Sequence, residues 1–442
     1  MKAHIVIGKN FGDEGKGLAT DCFARMAKEN NQSAIAVRFN GGAQAGHTVD
    51  TVSGRFVFHE LSSASFMKVD TYWAKDFLPD LYKLEEELNA FKALTGFAPK
   101  IIAHPFCRIV TIDDVLVNMA AETARGKNRH GSCGMGIYEA VVRSEKHPLY
   151  LKDVKGMTAE KLYGFLKELR DEYYPARLKE LLKEPSITPK KNECCNVVKE
   201  WDSSASNEYL DLLKEDNVLK NAAEGICHGA ELIELKEHIF LSEFDEVIFE
   251  GAQGLLLDTD NEEFAPHISA SHTGARAAVE TCLETGIKDI EISYITRTYV
   301  TRHGAGVLPC EEEWPCYNLN LFDATNIENP WQGIIRYAPH ESLDRFLEAV
   351  IKDLNSIDKG LISDDVSIKK SLFLTHLNET DNKILFSENA DEEIDSFMRK
   401  TEITETFDNY YLSASPFSEK VLPEYKKMNA GSTKANKSTA RI

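Results

Sequence analysis

Along the first fifty residues, short apolar runs alternate with glycine-rich polar turns. Ala3–Ile7 has the look of a buried strand. It runs into Gly8-Lys-Asn-Phe-Gly-Asp-Glu-Gly-Lys-Gly17. A helical pattern follows from about Lys16 to Asn30, with Leu18, Cys22, Phe23, Met26 and Ala27 on one face. A second strand pattern, Ala34–Phe39, ends in Asn40-Gly-Gly-Ala-Gln-Ala-Gly-His-Thr48. Further on, strands are expected at Phe56–Glu60, Ile101–Ala103, Glu246–Glu250, Asp289–Thr296 and Ser371–Thr375. Helices are expected at Phe77–Lys92 and from Ser269–Thr273 to about Thr285. Asn128–Gly136 is a polar glycine loop before an apolar segment, Ile137–Ser144. A long charged helical stretch runs from about Thr158 to Asn217, with a break near Pro185–Asn196.

This alternation predicts an α/β fold: a mostly parallel central sheet with helices on both faces, P-loop NTPase-like, with a helical insertion at about 150–235. No linker cuts the chain, so residues 1–427 read as a single α/β catalytic domain. Residues 428–442 are small, polar and basic, and read as a flexible tail. The 442 residues are 43% hydrophobic and 28% charged, as in a water-soluble globular protein. Lys and Arg number 51 against 71 Asp and Glu, a net charge of -20. That balance argues against a nucleic-acid partner, which needs a basic field. The nine cysteines are scattered without a Cys-x-x-Cys, which suits a reduced cytoplasmic protein. The early strand leaves no room for a signal peptide. No apolar run is long enough to span a membrane.

Strand, glycine turn, helix is a shape that binds phosphate. Free N–H groups and partial positive charge gather at the helix start. Gly12, Gly15 and Gly17 admit a ligand close to the backbone, and Lys16 adds a cation. The spacing is not that of the P-loop, because Gly17 stands where Ser or Thr belongs. Asp13 and Glu14 are out of place beside phosphates unless one of them holds a metal ion or moves a proton. Residues from other strand ends should meet there: Gln44, His47, Ser132, Gln253, Thr273 and Arg302. The set suits phosphoryl transfer. Lys16 and the amides would hold phosphates, Asp13 would hold Mg²⁺ or act as base, and His47 and Gln253 would serve an oxygen gaining charge.

Four segments together resemble the adenylosuccinate synthetase family. They are Gly12–Gly17, Gly41-Gly-Ala-Gln-Ala-Gly-His-Thr48, Phe249-Glu-Gly-Ala-Gln-Gly-Leu-Leu-Leu-Asp258 and Thr301-Arg-His-Gly-Ala-Gly306. The resemblance implies transfer of a γ-phosphate to O6 of a purine nucleoside monophosphate, IMP in the typical enzyme. L-aspartate then displaces that phosphate. It implies Asp13 as the base that takes the N1 proton. Lys16, His47 and Gln253 complete the catalytic set, and Asp13 with the Gly46 carbonyl binds Mg²⁺. Gln44, Ser132, Thr273 and Arg302 would contact the acceptor nucleotide, and Arg143 would reach it across a homodimer. Gly12, Gly15, Lys16, Gly17, Asn378 and Ser415 would serve the triphosphate. Thr325, Asn326, Gln332 and Arg336 would replace the family's arginine-rich aspartate loop.

Departures from the family bear on substrate choice. The guanine-reading Asp is here Asn378, whose amide fits adenine's N1 and N6 at least as well, which makes ATP or dATP an alternative to GTP. Some viral members act on dGMP and commonly lack the catalytic aspartate, whereas this chain keeps Asp13, which favours IMP. The alternatives are therefore a 2-aminoadenylosuccinate synthetase acting on dGMP or GMP, and a non-catalytic purine-nucleotide-binding regulatory protein.

Overall fold

The computed structural model describes residues 1–183, 207–319, 321 and 333–425. Ten strands form one sheet: β1 (Lys2–Gly8), β2 (Ala34–Arg38), β3 (Asp70–Trp73), β4 (Ile101–Ala103), β5 (Ile233–Leu235), β6 (Glu246–Gly254), β7 (Asp289–Arg297), β8 (Ser367–Thr375), β9 (Asn409–Leu412) and β10 (Leu422–Tyr425). Their spatial order is β10-β9-β8-β7-β1-β6-β2-β3-β4-β5. All pairs are parallel except β9 with β10. Strand β1 lies between β6 and β7, so the turns leaving all three emerge side by side at the carboxyl edge.

Alternation along β1 separates two cores. Ala3, Ile5 and Ile7 face Ala278, Cys282, Phe346 and Val350. Val6 faces Leu18, Ala19 and Phe23 of helix α1 (Lys16–Glu29). Helices thus cover both faces, as a parallel sheet requires. A third core joins Trp73, Leu84, Phe91, Val117 and Ala121 to Leu162, Leu169 and Ile226. It includes helices α2 (Leu84–Thr95) and α3 (Ile112–Arg125).

Several element boundaries differ from expectation. Phe56–Glu60 is the second half of a hairpin, in which Gly54–Phe58 pairs with His47–Thr51. The first half is too short and polar to betray itself by alternation. Helix α2 begins at Leu84 because Leu78 is drawn aside, its N–H donating to the Gly41 carbonyl at 2.9 Å. The helix expected from Ser269–Thr273 starts at Arg276. Its approach is held open by carboxylates: Asp258 accepts the Thr273 amide at 2.7 Å, and Asp353 accepts that of Ala275 at 3.0 Å.

The helical insertion comprises Leu151–Val154, Ala159–Glu168, Tyr174–Leu181, Glu208–Leu212 and Asp216–Glu231, with a π-helical turn at Leu169–Tyr173. It leads into edge strand β5. Buried charge pairs weld it to the sheet domain. Arg170 grips Asp113 at 2.5 and 2.9 Å, and Arg177 grips Glu139 at 2.7 and 3.0 Å. The expected break at Pro185–Asn196 and the tail at 428–442 lie outside the described residues. Among the described residues no helix is long and apolar enough to cross a membrane.

Candidate active site

The carboxyl-edge turns enclose a cavity of about 1060 Å³. Asp13, Lys16, Gln44, His47, Ser132, Gln253 and Arg302 line it, as do Gly12, Gly15, Gly17, Gly46, Asn378 and Ser415.

The first turn is held from outside. Thr301 Oγ1 donates to the Gly12 carbonyl at 3.1 Å, Arg297 Nε to that of Asp13 at 2.6 Å, and Thr375 Oγ1 to that of Glu14 at 2.9 Å. Since a peptide's C=O and N–H point in opposite directions, fixing three successive carbonyls fixes the direction of the next three N–H groups. Helix α1 starts from Gly15, at φ 95°, with no side chain capping its first amides. That leaves a helix N-terminus free to bind an anion. Asp13 (φ 57°) and Gln253 (φ 63°) both lie in the left-handed region, which is uncommon outside glycine and costs conformational energy. Each is forced there by the packing of two turns. A Cβ on Gly8 would sit 2.4 Å from the Gln253 carbonyl oxygen, so the turns close only over a glycine.

Electrostatically, the two acids of the turn have parted. The Asp13 carboxylate lines the cavity, and among the described residues no protein group hydrogen-bonds to it. Glu14 is buried beneath, its Oε1 accepting from the Asn10 amide and from Asn10 Nδ2, both at 2.7 Å. Burial pushes its pKa up, against the pull of Lys16. Lys16 is buried too, and its pKa is lowered by burial, against Glu14 and Asp13.

His47 Nδ1 lies 2.7 Å from Glu250 Oε1. Ser63 holds the same carboxylate through its hydroxyl at 2.5 Å and its amide at 3.1 Å. Burial pushes Glu250 up, but His47, Arg38 and Ser63 outweigh it and hold it ionised, at about 2. A carboxylate can only accept, so Nδ1 carries the imidazole's proton. Burial, opposed by Glu250, pushes His47 down to about 4. The ring is therefore neutral at pH 7, with an Nε2 lone pair that no protein group among the described residues engages. Glu250 stands inside a recognisable segment, yet its link to His47 spans 203 positions and nothing local marks it.

Three expected residues are placed elsewhere. Arg143 is fully buried within its own chain. It donates to Asp114 at 3.0–3.1 Å and to the carbonyls of His147 and Ile109 at 2.8 Å. Within this chain it ties helix α4 (Ile137–Ser144) to α3. Thr273 does not line the cavity: its hydroxyl and amide both face Asp258. Arg336 sits beside the cavity rather than in it, held by Glu311 at 2.6 Å and the carbonyls of Gly304 and Gly306. Thr325, Asn326 and Gln332 lie outside the described residues. Arg302 does enter the site, packed over the Phe11 ring at 4.5 Å. Burial, with Arg336 beside it, lowers its pKa to about 10, which keeps it charged at pH 7.

A family model described as adenylosuccinate synthetase matches residues 5–324. The adenylosuccinate synthetase of Dichelobacter nodosus is 27% identical over 329 residues, covering 70% of this chain and 65% of that protein. That of Pseudomonas aeruginosa (strain PAO1) is 29% identical over 321 residues, covering 70% and 64%. The chain thus spans just under two thirds of the length of these relatives. Two solved structures share the fold. Fully ligated adenylosuccinate synthetase from Plasmodium falciparum has a TM-score of 0.61 at 16% identity, covering 96% of this chain and 99% of that one. Cyanophage S-2L succinoaminodeoxyadenylate synthetase, bound to dGMP and dATP, has a TM-score of 0.54 at 13% identity, covering 96% and 95%.

Proposed function

The chain belongs to the adenylosuccinate synthetase family, and we propose that it is a ligase that joins L-aspartate to a 6-oxopurine nucleotide, IMP, at the expense of a nucleoside triphosphate. The observation that carries this reading is the convergence of Asp13, Lys16, His47 and Gln253 on one cavity, with Asp13 unpaired among the described residues and His47 oriented by Glu250. A binding protein has no use for a strained carboxylate beside a phosphate cradle.

In this reading Asp13 takes the N1 proton of the purine. The electrons released make O6 nucleophilic, and O6 attacks the γ-phosphorus as the bond to the β-phosphate oxygen breaks. The amino group of aspartate then adds at C6, and phosphate leaves with the former O6. His47 enters as a neutral imidazole. Bound phosphates stabilise its protonated form, so Nε2–H can serve the oxygen in flight. Gln253 donates to the same oxygen from its fixed turn. Asp13 and the Gly46 carbonyl offer the oxygen ligands that Mg²⁺ prefers, and the ion would supply charge neutralisation among the phosphates. A homodimer belongs to the same proposal.

The second reading is a dGMP or GMP acceptor with ATP or dATP as donor. It is favoured by Asn378, which lines the cavity and which the resemblance sets in place of the family's guanine-reading acid. One assay separates the readings: phosphate release from ATP, dATP or GTP with IMP, dIMP, GMP or dGMP, with and without aspartate. Release that needs IMP and aspartate supports the first reading, and release that needs dGMP supports the second. Tight nucleotide binding without turnover would identify a regulatory protein.

A further inference from the structure

The loop that carries Ser132, expected at the acceptor nucleotide, already holds an anion, and that anion is part of the chain. Three successive amides, those of His130, Gly131 and Ser132, donate to the Glu122 carboxylate at 3.3, 3.1 and 3.3 Å. Gly131, at φ 84°, gives the backbone the left-handed step by which consecutive N–H groups form an anion-binding nest. Arg125 Nη1 adds a bond at 2.6 Å to the same carboxylate. Glu122 is fully buried in the last turn of α3, where a negative charge runs against the helix dipole. Its place there depends on these donors. Main-chain amides in a nest, an arginine and the neighbouring Ser132 hydroxyl are also the donors a phosphate monoester would use. That hydroxyl is turned inward, donating to Asn118 Oδ1 at 2.8 Å.

We propose that Glu122 is an internal stand-in for the acceptor's 5′-phosphate, and that this embedded competitor sets how tightly the acceptor nucleotide binds. The inference rests on the acceptor reading above. Carboxylate and phosphate cannot share the nest, because their charges repel at contact. A phosphate carries nearly two charges and three acceptor oxygens against one charge and two, so it gains more from the same donors. The nucleotide enters by driving Glu122 out, and pays for its place with part of its affinity. A nucleoside, lacking the phosphate, leaves Glu122 where it is.

The test is equilibrium binding of IMP, inosine and inorganic phosphate, each alone, to the wild-type protein and to Glu122→Gln. The substitution removes the charge but keeps an acceptor for the amides. IMP and inorganic phosphate should bind the variant on the order of tenfold more tightly, and inosine equally. Unchanged or weaker phosphate and IMP binding by a folded variant would overturn the proposal. A second measurement uses the wild-type protein alone: the Glu122 carboxyl ¹³C resonance should move to that of a solvated carboxylate when IMP saturates the site. A resonance that stays put under saturation overturns the proposal as well. If IMP binds neither protein but inorganic phosphate still prefers the variant, Glu122 keeps its role and the acceptor reading falls.

Discussion

The two ends of the cavity are built differently. At the Gly8–Gly17 turn, backbone carbonyls are held by side chains from neighbouring strand ends, two threonines and the Arg297 guanidinium. Thr301, Arg297 and Thr375 pin three carbonyls, and Gly8 lets the turn at Gln253 close on it. At the loop 128–136, the fixing groups are long charged side chains borrowed from helices. Glu122 fills the amide nest, and Arg177 of the insertion holds Glu139, which follows the loop on α4. The first arrangement cannot move without breaking the sheet edge. The second can exchange partners when a ligand brings its own charge. On the proposed function, the molecule thus fixes the groups that would transfer phosphate and leaves adjustable those that would admit the acceptor.

Substitutions at the two ends should therefore fail in different ways. The largest effect is expected at the rigid end. Asp13→Asn should lower kcat by about 10²–10⁴-fold, with binding of both nucleotides and the fold retained, since the amide keeps the shape and loses the base. Turnover near wild type would remove Asp13 from the chemistry. At the adjustable end, Arg177→Ala should raise KM for the acceptor about tenfold while kcat changes little. It should also cost about 1–3 kcal/mol of stability in urea unfolding, because Glu139 stays buried without its cation. Equal losses in kcat and kcat/KM would show that the insertion reaches the chemistry and that the contrast between the ends is false.

The smallest effect concerns pH. The folded His47 pKa, about 4, lies below its ordinary 6.5. Between those values the unfolded chain binds the proton more readily, so stability falls as pH falls through this window. Above pH 6.5 the loss is absent. Urea unfolding of the ligand-free protein at pH 7 and pH 5 should show a larger acid loss for the wild type than for His47→Asn. An equal loss in both would mean that His47 is not held neutral.

The sheet-edge half of this site was legible in the sequence. Glycine turns after apolar runs announce strand ends, and parallel strands bring their carboxyl ends together. Asp13, Lys16, His47 and Gln253 were found on that logic. What stayed hidden depends on burial and distance. The partners Glu250 for His47 and Glu122 for the loop amides are ordinary acids in sequence, made special by donors that folding delivers. Arg143, expected at the acceptor nucleotide, is placed elsewhere for the same reason. An arginine one residue before the end of an amphipathic segment reads as an outward cation, and only the packed Asp114 turns it inward. Thr273 has the right type and spacing, but Asp258 claims it first.

The proposed reaction releases O6 of the acceptor as phosphate oxygen, through the groups gathered around Asp13. It is tested most directly with IMP carrying ¹⁸O at position 6, incubated with triphosphate, Mg²⁺ and L-aspartate, followed by mass analysis of the phosphate released. Each phosphate should carry one ¹⁸O and form only when aspartate is present. Unlabelled phosphate, released at the same rate with or without the purine, would contradict it.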